Sequence, residues 1–467
     1  MTPGNKHLFG TDGIRQEVGT FPLDDISIPK LGYAFGKIIK DHNVRIIIGR
    51  DTRNSGQHIQ QLLTHGIKKA NPPVIVESCG VIPTPGLSYI TREFQFDFGI
   101  MITASHNPYS DNGIKFFNSQ GEKLSESIEK EIEEFFYRIH ENTLEISTFS
   151  STSITPENES YSQKYAAFLT SHAREIESHI RERKMRAVID CANGATYRIA
   201  EEIFKEAGFK TIMIGVQPDG KNINRECGST HTSNLIKAIQ KENANIGIAF
   251  DGDGDRLIMA DSKGRLLDGD HILYHIAIYF KNITVPQFND IIVGTQMSNL
   301  GLEKALIDSG FTFLRTKVGD KYVYQGMNSQ NAILGGEPSG HTIISTYQKS
   351  GDGILTALFF LKALSTAGIS SVEAFDNLLL YPQEMRDIKI KERKNLEEWD
   401  QLQRMIREFN ETYQSDSRLL IRYSGTEPKI RLMMESKRQI VIDENLGKFE
   451  ALIQSTIGLP AESLKEN

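Results

Sequence analysis

Short apolar runs separated by longer amphipathic stretches recur along most of this chain, and that alternation predicts α/β units. Strands are expected at Val44–Ile48, Val74–Val76, Gly99–Thr103, Ala187–Asp190, Ile246–Phe250, Ile291–Val293 and Ala332–Leu334, with helical patterns between them. Ile114–Phe117 and Leu257–Ala260 read as return strands. Ser125–His140 is charged and periodic, whereas Glu141–Glu159 is rich in Ser, Thr and Asn and has little pattern, so a junction is expected there. The last stretch changes character. A strand at Met385–Lys391 precedes a helix over Leu396–Phe409, which lines up Leu396, Trp399, Leu402, Met405, Ile406 and Phe409 on one face. Strands at Arg418–Tyr423 and Lys429–Glu435 and a terminal helix complete a small α+β unit. The expected division is into three similar mixed α/β domains, 1–155, 156–267 and 268–375, and a smaller α+β domain, 376–467. No exact repeat is visible, but several apolar runs end in a loop rich in Gly, Ser and Asp. In open α/β sheets, the carboxyl ends of strands are where ligands bind.

Composition narrows the class. A chain of 467 residues exceeds one ordinary core, and 39% hydrophobic with 24% charged residues is the balance of a soluble globular protein. The net charge of -7 argues against nucleic acid or an anionic membrane as the main partner. Cys79, Cys191 and Cys227 are odd in number and lack zinc or Cys-x-x-Cys spacing, so free thiols in a reducing cytoplasm are expected. Residues 1–10 contain no apolar signal core, and the longest apolar run, Ile354–Leu364, is short and interrupted by Lys362, so no membrane span is expected.

The chemistry concentrates in loops. Asp251-Gly-Asp-Gly-Asp-Arg256 leaves one buried strand and enters another, with three hard carboxylate ligands at alternate positions and glycines that allow a tight path. A divalent metal is one reading, because three repelling carboxylates need a cation; a solvated Asp-Gly turn is the other. An EF-hand is excluded, since its sixth position would be Arg256 and its twelfth Ser262. Thr103-Ala-Ser-His-Asn-Pro108 presents Ser105 beside His106, and the return strand brings Lys115 back near them. There is no Gly-x-Ser-x-Gly elbow, and a turn-forming Ser with a capping His is an equal reading. Gly336-Glu-Pro-Ser-Gly-His341 gathers Glu337, Ser339 and His341, a donor and acceptor mixture that suits sugar hydroxyls or a plain turn. Arg422-Tyr-Ser-Gly-Thr-Glu-Pro-Lys-Ile-Arg431 offers two Arg, a Lys, two hydroxyls and a Gly, which suits either a phosphate cradle or a surface hairpin. Two further loops, Phe9–Arg15 and Gly49–Arg53, pair glycine with cations and are open to a structural role.

Taken in order and spacing, Thr103–Pro108, Asp251–Arg256, Gly336–His341 and Arg422–Pro428 resemble the four signature loops of the α-D-phosphohexomutase superfamily, over essentially the whole chain. Phe9–Arg15, Thr316–Val323 and Ser350–Leu358 are most similar to those of the bacterial phosphoglucosamine mutase family. The resemblance implies four domains around a central cleft and an isomerase that interconverts glucosamine 6-phosphate and glucosamine 1-phosphate. It also implies a phosphoserine enzyme, a hexosamine 1,6-bisphosphate that serves as intermediate and activator, and a product that feeds UDP-N-acetylglucosamine and cell-wall precursor synthesis. Ser105 would carry the phosphate and share one Mg²⁺ with Asp251, Asp253 and Asp255. Lys115 would give acid/base help, supported by Arg15 and His106. Arg256, Lys317, Glu337, Ser339 and His341 would contact substrate, while Arg422, Ser424, Gly425, Thr426 and Arg431 would hold the phosphate that is not reacting. The implied assembly is a monomer or homodimer acting on a small phosphosugar. Pro338, Tyr423 and Gln16 stand where the family usually carries Gln, Pro and Gly, which keeps phosphomannomutase/phosphoglucomutase activity as the alternative. Two readings from other classes remain: a phosphatase that hydrolyses the phosphoserine, and a metal-stabilised binding protein. Retention of the phosphoryl group on sugar separates the first from a mutase, and turnover of any hexose phosphate separates the second.

Overall fold

The computed structural model describes residues 7–39, 43–71, 73–139, 156–413, 416–424 and 428–459. The junction expected at Glu141–Glu159 falls largely outside them. The chain divides into two compact units, Met1–Met297 with Gly310–Asn377, and Ser298–Ser309 with Leu378–Asn467.

The first unit contains one sheet layout three times. In the first sheet, β2 (Arg45–Arg50) lies between parallel neighbours β3 (Ile75–Val81) and β4 (Phe98–Ile102), and β4 is followed by the antiparallel β5 (Asp111–Asn118). The antiparallel edge strand β1 (Ile14–Glu17) completes the order β1-β5-β4-β2-β3. The second sheet repeats this with β6 (Arg186–Asp190), β7 (Lys210–Ile214), β8 (Ile246–Phe250) and β9 (Leu257–Asp261), in the order β9-β8-β6-β7 with a short β10 (Leu266–Leu267) at the edge. The third has β11 (Ile291–Thr295), β12 (Thr312–Thr316), β13 (Leu334–Gly336) and β14 (Thr342–Ile344), again with the first strand between the second and third and the fourth returning antiparallel. Central strands are covered on both faces, which explains continuous apolar runs such as Ile246–Phe250, where all five residues are buried.

Differences from the expected elements follow from exposure and pairing. The edge strands β7 and β12 carry mixed, half-exposed sequences that lack a strand period, and they escaped prediction. The third parallel strand of the last sheet lies at Leu334–Gly336 rather than Ala332–Leu334, because its glycines pair with β11 and β14 despite their low strand propensity. The apolar run Ile354–Leu364 forms most of a buried helix, Gly353–Ala367, whose first turn is capped by Asp352 accepting from Leu355 N. Lys362 within it is buried and ion-paired with Glu175 at 2.8 Å. No helix among the described residues is long and apolar enough to cross a membrane.

The second unit is an antiparallel sheet, β15 (Gln383–Lys389), β16 (Ser417–Tyr423) and β17 (Lys429–Ser436), in the order β15-β17-β16. Helices Asp400–Tyr413 and Gln439–Ile457 pack on it through Leu402, Phe409, Val441, Leu446 and Phe449. The first of these begins four residues later than the apolar pattern suggested; Leu396 and Trp399 still join the same core from the preceding turn. Helix Leu300–Asp308 also belongs to this unit, although it lies in the stretch read as a third domain. Its Leu300 N–H donates to the buried Glu435 carboxylate at 3.0 Å.

Candidate active site

The three repeated sheets place their chemistry at the same topological point. Each chemical loop joins the third parallel strand to its antiparallel return: β4 to β5 for Ser105, β8 to β9 for the acidic loop, and β13 to β14 for Glu337 and His341. The carboxyl ends of the parallel strands thus supply all three, where sheet geometry leaves loops free to meet a ligand.

The Ser105 loop is held under strain. Ser105 has φ +51, a left-handed conformation that costs an L-residue roughly 1–2 kcal/mol. Arg53, buried with its guanidinium paired to Asp51 at 2.9 Å, donates to the carbonyls of Ser105 at 3.0 Å, Asn107 at 2.8 Å and Pro108. Thr103 Oγ1 donates to Asp51 at 2.6 Å and accepts from Ser105 N at 2.9 Å. Hydrogen bonds to charged groups contribute about 1.5–3 kcal/mol each, so the set outweighs the strain. Ser105 Oγ donates to Asp251 Oδ2 at 2.6 Å and lies 3.4 Å from His106 Nδ1. Burial, then the charges of Arg256 and Arg15, lower the His106 pKa to about 4, so its imidazole is neutral near pH 7.

The acidic loop sits directly against this serine. Asp251, Asp253 and Asp255 are all buried, and each offers one oxygen within 4.8 Å of the others. A Cβ at Gly252 would stand 2.6 Å from Ser105 O, so only glycine permits this approach. Thr84 donates to Asp253 Oδ2 at 2.6 Å and Arg256 N to Asp251 Oδ1 at 3.1 Å. Lys115 Nζ reaches Asp253 at 3.0 Å and Asp255 at 3.3 Å. Asp253 Oδ1 and Asp255 Oδ1 are buried and have no hydrogen-bond partner among the described residues. Orphaned hard oxygens beside a third carboxylate and a serine hydroxyl are the donor set of a small divalent cation such as Mg²⁺, and the residues fit it. Burial together with Asp255 and Asp253 pushes the Asp251 carboxyl well above the ordinary range.

Lys115 lies on β5, opposite Met101. Burial alone would favour its neutral form, but Asp12, Asp253 and Asp255 hold its pKa well above the ordinary value. In this environment it is an ammonium, hence a proton donor or a fixed positive charge. Asp12 is the hub behind it, pairing with Lys115 at 3.0 Å, Arg15 at 2.6 Å and Lys123. Arg15 stands on β1 rather than in the glycine-rich loop, and its Nη1 reaches Asn107 Oδ1 at 3.4 Å.

The third loop hydrogen-bonds to the second, with Leu257 N donating to Gly340 O at 3.0 Å. Glu337 is mostly buried and accepts from Gly319 N at 3.0 Å, and burial raises its pKa. Ser339 is exposed. His341 has a different setting from an open sugar contact: it is buried, takes the Gly351 N–H on Nε2 at 3.0 Å, and points Nδ1 toward Asp255 at 3.8 Å. That amide fixes the ring proton on Nδ1. Arg256 is partly buried, and its Nε has no partner among the described residues. Lys317 is exposed, its ammonium 5.7 Å over the Tyr322 ring.

In the second unit, Arg422 and Arg431 are direct cross-strand partners on β16 and β17. Burial and the facing Arg431 lower the Arg422 pKa. Like charges directly opposite one another destabilise a sheet, and an anion relieves that repulsion. Ser424 is buried, its N donating to Lys429 O at 2.9 Å and its carbonyl accepting from Arg393 at 2.9 Å. Gly425 and Thr426 lie outside the described residues.

Asp12, Arg53, Thr84, Lys123 and Asn224, which the structure ties to this cluster by ion pairs and hydrogen bonds, were not singled out from the sequence. Asp12 and Arg53 lie in loops whose glycines and cations were visible; Thr84 and Asn224 act across the tertiary structure and have no local signal.

Four family models match the chain: phosphoglucomutase/phosphomannomutase alpha/beta/alpha domain I over residues 6–143, domain II over 116–264 and domain III over 268–380, and the C-terminal domain over 387–444. A phosphoglucosamine mutase of Marinomonas sp. (strain MWYL1) is 39% identical over 458 residues, covering 98% of this chain and 100% of that one. Among solved structures, a phosphoglucomutase/phosphomannomutase family protein from Burkholderia thailandensis superposes with a TM-score of 0.76 at 20% identity, over 97% of this chain and 99% of that one. The N-acetylphosphoglucosamine mutase of Aspergillus fumigatus, solved with GlcNAc-6P and magnesium, gives a TM-score of 0.62 at 17% identity, over 97% and 96%. With 39% identity to the first over nearly the whole of both chains, and four family models along its length, this chain belongs to the α-D-phosphohexomutase superfamily, in the family of the phosphoglucosamine mutases.

Proposed function

We propose that this isomerase interconverts glucosamine 6-phosphate and glucosamine 1-phosphate, with Ser105 as the phosphoryl carrier. The carrying observation is Ser105 Oγ at 2.6 Å from Asp251, at the meeting of three topologically equivalent loops. In the first half-reaction the bond from phosphorus to Ser105 Oγ breaks and one to a sugar hydroxyl oxygen forms, giving the 1,6-bisphosphate; Oγ takes a proton from Lys115, and the proton lost by the sugar hydroxyl restores the Lys115 ammonium. The second half-reaction returns the other phosphate to Ser105. Lys115, held as an ammonium by Asp12 and the triad, is the proposed proton donor to the departing serine oxygen. Asp251, Asp253 and Asp255 would hold Mg²⁺, which when bound neutralises charge on the transferring group. Arg15 and His106 flank the serine; His106 stays neutral and so offers one acceptor and one donor. Arg256, with an unpartnered buried Nε, and Glu337 are proposed substrate contacts, with Ser339 and Lys317 at the exposed margin and His341 steadying Asp255. Arg422, Ser424, Gly425, Thr426 and Arg431 are the proposed holders of the distal phosphate. Cys79, Cys191 and Cys227 are buried free thiols, their pKa values pushed up to about 12 by burial, which suits a reducing cytoplasm.

A coupled assay comparing glucosamine, glucose and mannose phosphates tests the substrate. The expected result is the highest kcat/KM for glucosamine phosphate; a clear preference for mannose phosphate would move the chain to the phosphomannomutase/phosphoglucomutase branch. Arg422→Ala removes a charged hydrogen bond used before and after the bisphosphate turns over. It is expected to lower kcat/KM by roughly ten- to a hundredfold and to increase release of free bisphosphate. Rapid-quench measurement of that release checks it, and unchanged kcat/KM without leakage would reduce the Arg422 loop to a surface hairpin.

A further inference from the structure

We propose that Asn224 is a positioning residue for phosphoryl transfer: from the second sheet's loop, its side-chain amide fixes the carbonyls of Ser105 and Asn107 and so sets Ser105 in register with Asp251. Asn224 Nδ2 donates to Ser105 O at 2.8 Å and to Asn107 O at 3.0 Å. Both N–H groups of one amide are thus spent on one loop. The residue is buried and has φ +58, and its own N–H donates to Ala192 O at 2.9 Å, so the amide is aimed by a fixed backbone. Its segment is tied to the first sheet nearby, through Asn54 N to Gly220 O at 3.0 Å. Thr52 Oγ1 makes a further tie to Asn193 O at 2.6 Å.

Arg53 holds the same carbonyls, but it belongs to the first sheet, as Ser105 does. Asn224 is different. It comes from the sheet that carries Asp251, so its two bonds measure the spacing between carrier and acidic loop. The tie is reciprocal, because Thr84, which opens the helix Thr84–Glu93 after β3, holds Asp253 by donating its N–H to the backbone carbonyl at 2.9 Å and its hydroxyl to the carboxylate at 2.6 Å. Loss of Asn224 therefore leaves the Ser105 loop anchored to its own sheet by Arg53 while its register with Asp251 loosens. Phosphoryl transfer depends on alignment, so the cost falls on the transfer rate and not on sugar binding.

The inference rests on Ser105 being the phosphoryl carrier. Asn224→Gly keeps the left-handed backbone and removes the amide, and Asn224→Asp keeps the shape but turns donors into acceptors facing carbonyls. Each variant is phosphorylated with hexose 1,6-bisphosphate, and transfer to sugar phosphate is followed in a single turnover. The expected result is a rate constant lowered by about tenfold, with full amplitude, a parallel fall in kcat and KM within about twofold. Wild-type rate constants in a folded variant would overturn the proposal. So would a loss seen only in amplitude, or both variants failing to fold, since either marks a structural role. A wild-type enzyme with no transferable phosphate on Ser105 would overturn this inference and the carrier reading together; wild-type transfer with unaffected variants would overturn this inference alone.

Discussion

Ser105→Ala is expected to fold as the parent does and to lose at least about a thousandfold in kcat, even with hexose 1,6-bisphosphate added. Alanine occupies the left-handed position at φ +51 about as well as serine does, and Arg53, Thr103 and Asn224 hold the backbone of the loop and not its hydroxyl. The fold loses the bond from Oγ to Asp251 and the longer contact to His106, about 0.5–1.5 kcal/mol for an ordinary hydrogen bond. The chemistry loses its carrier. Intact-mass and peptide analysis after incubation with the bisphosphate should find phosphate on Ser105 in the parent and none in the variant. Full activity in the variant, or phosphate only at another residue, would remove Ser105 from the mechanism.

Asp253→Asn is expected to lower kcat by roughly a hundredfold or more and to raise the Mg²⁺ concentration needed for half-maximal activity, with the fold retained. Asp253 is fully buried between two other carboxyl groups, and among the described residues its ion pair is with Lys115 at 3.0 Å, which Asp255 and Asp12 share. Removing its charge relieves repulsion within the triad, so thermal stability without added metal should stay level or rise. The same change takes a charged oxygen from the metal set and an anchor from Lys115. Calorimetric Mg²⁺ titration separates the two effects: an unchanged affinity would reject this loop as the metal site.

Much of the site was legible because its groups are close in sequence. The triad needs only alternate positions and glycines between two apolar runs, so Asp251, Asp253 and Asp255 are recognisable as a candidate metal loop within five residues. Ser105 and Lys115 were linked because the antiparallel return sets Lys115 opposite Met101, four residues before Ser105, and both then face the acidic loop, Ser105 at Asp251 and Lys115 at Asp253. The setting of His341 was not legible. A histidine in a polar loop looks like a ligand contact, and only packing shows that its Nε2 accepts from Gly351 while Nδ1 faces Asp255 at 3.8 Å.

The sequence by itself determined the buried strands, because a strand covered on both faces must be apolar throughout, and it determined the loops whose chemistry needs neighbouring residues. Tertiary structure alone decided the rest. The threefold recurrence of one sheet layout has no counterpart in residue identity, since topology constrains strand order and burial but leaves the loops free to differ. The ties Thr84–Asp253 and Asn224–Ser105 join residues more than a hundred positions apart, where a threonine and an asparagine carry no periodicity and no motif. Their meaning comes from the placement of one sheet against another, and it is that placement which brings a strained serine within hydrogen-bond reach of Asp251.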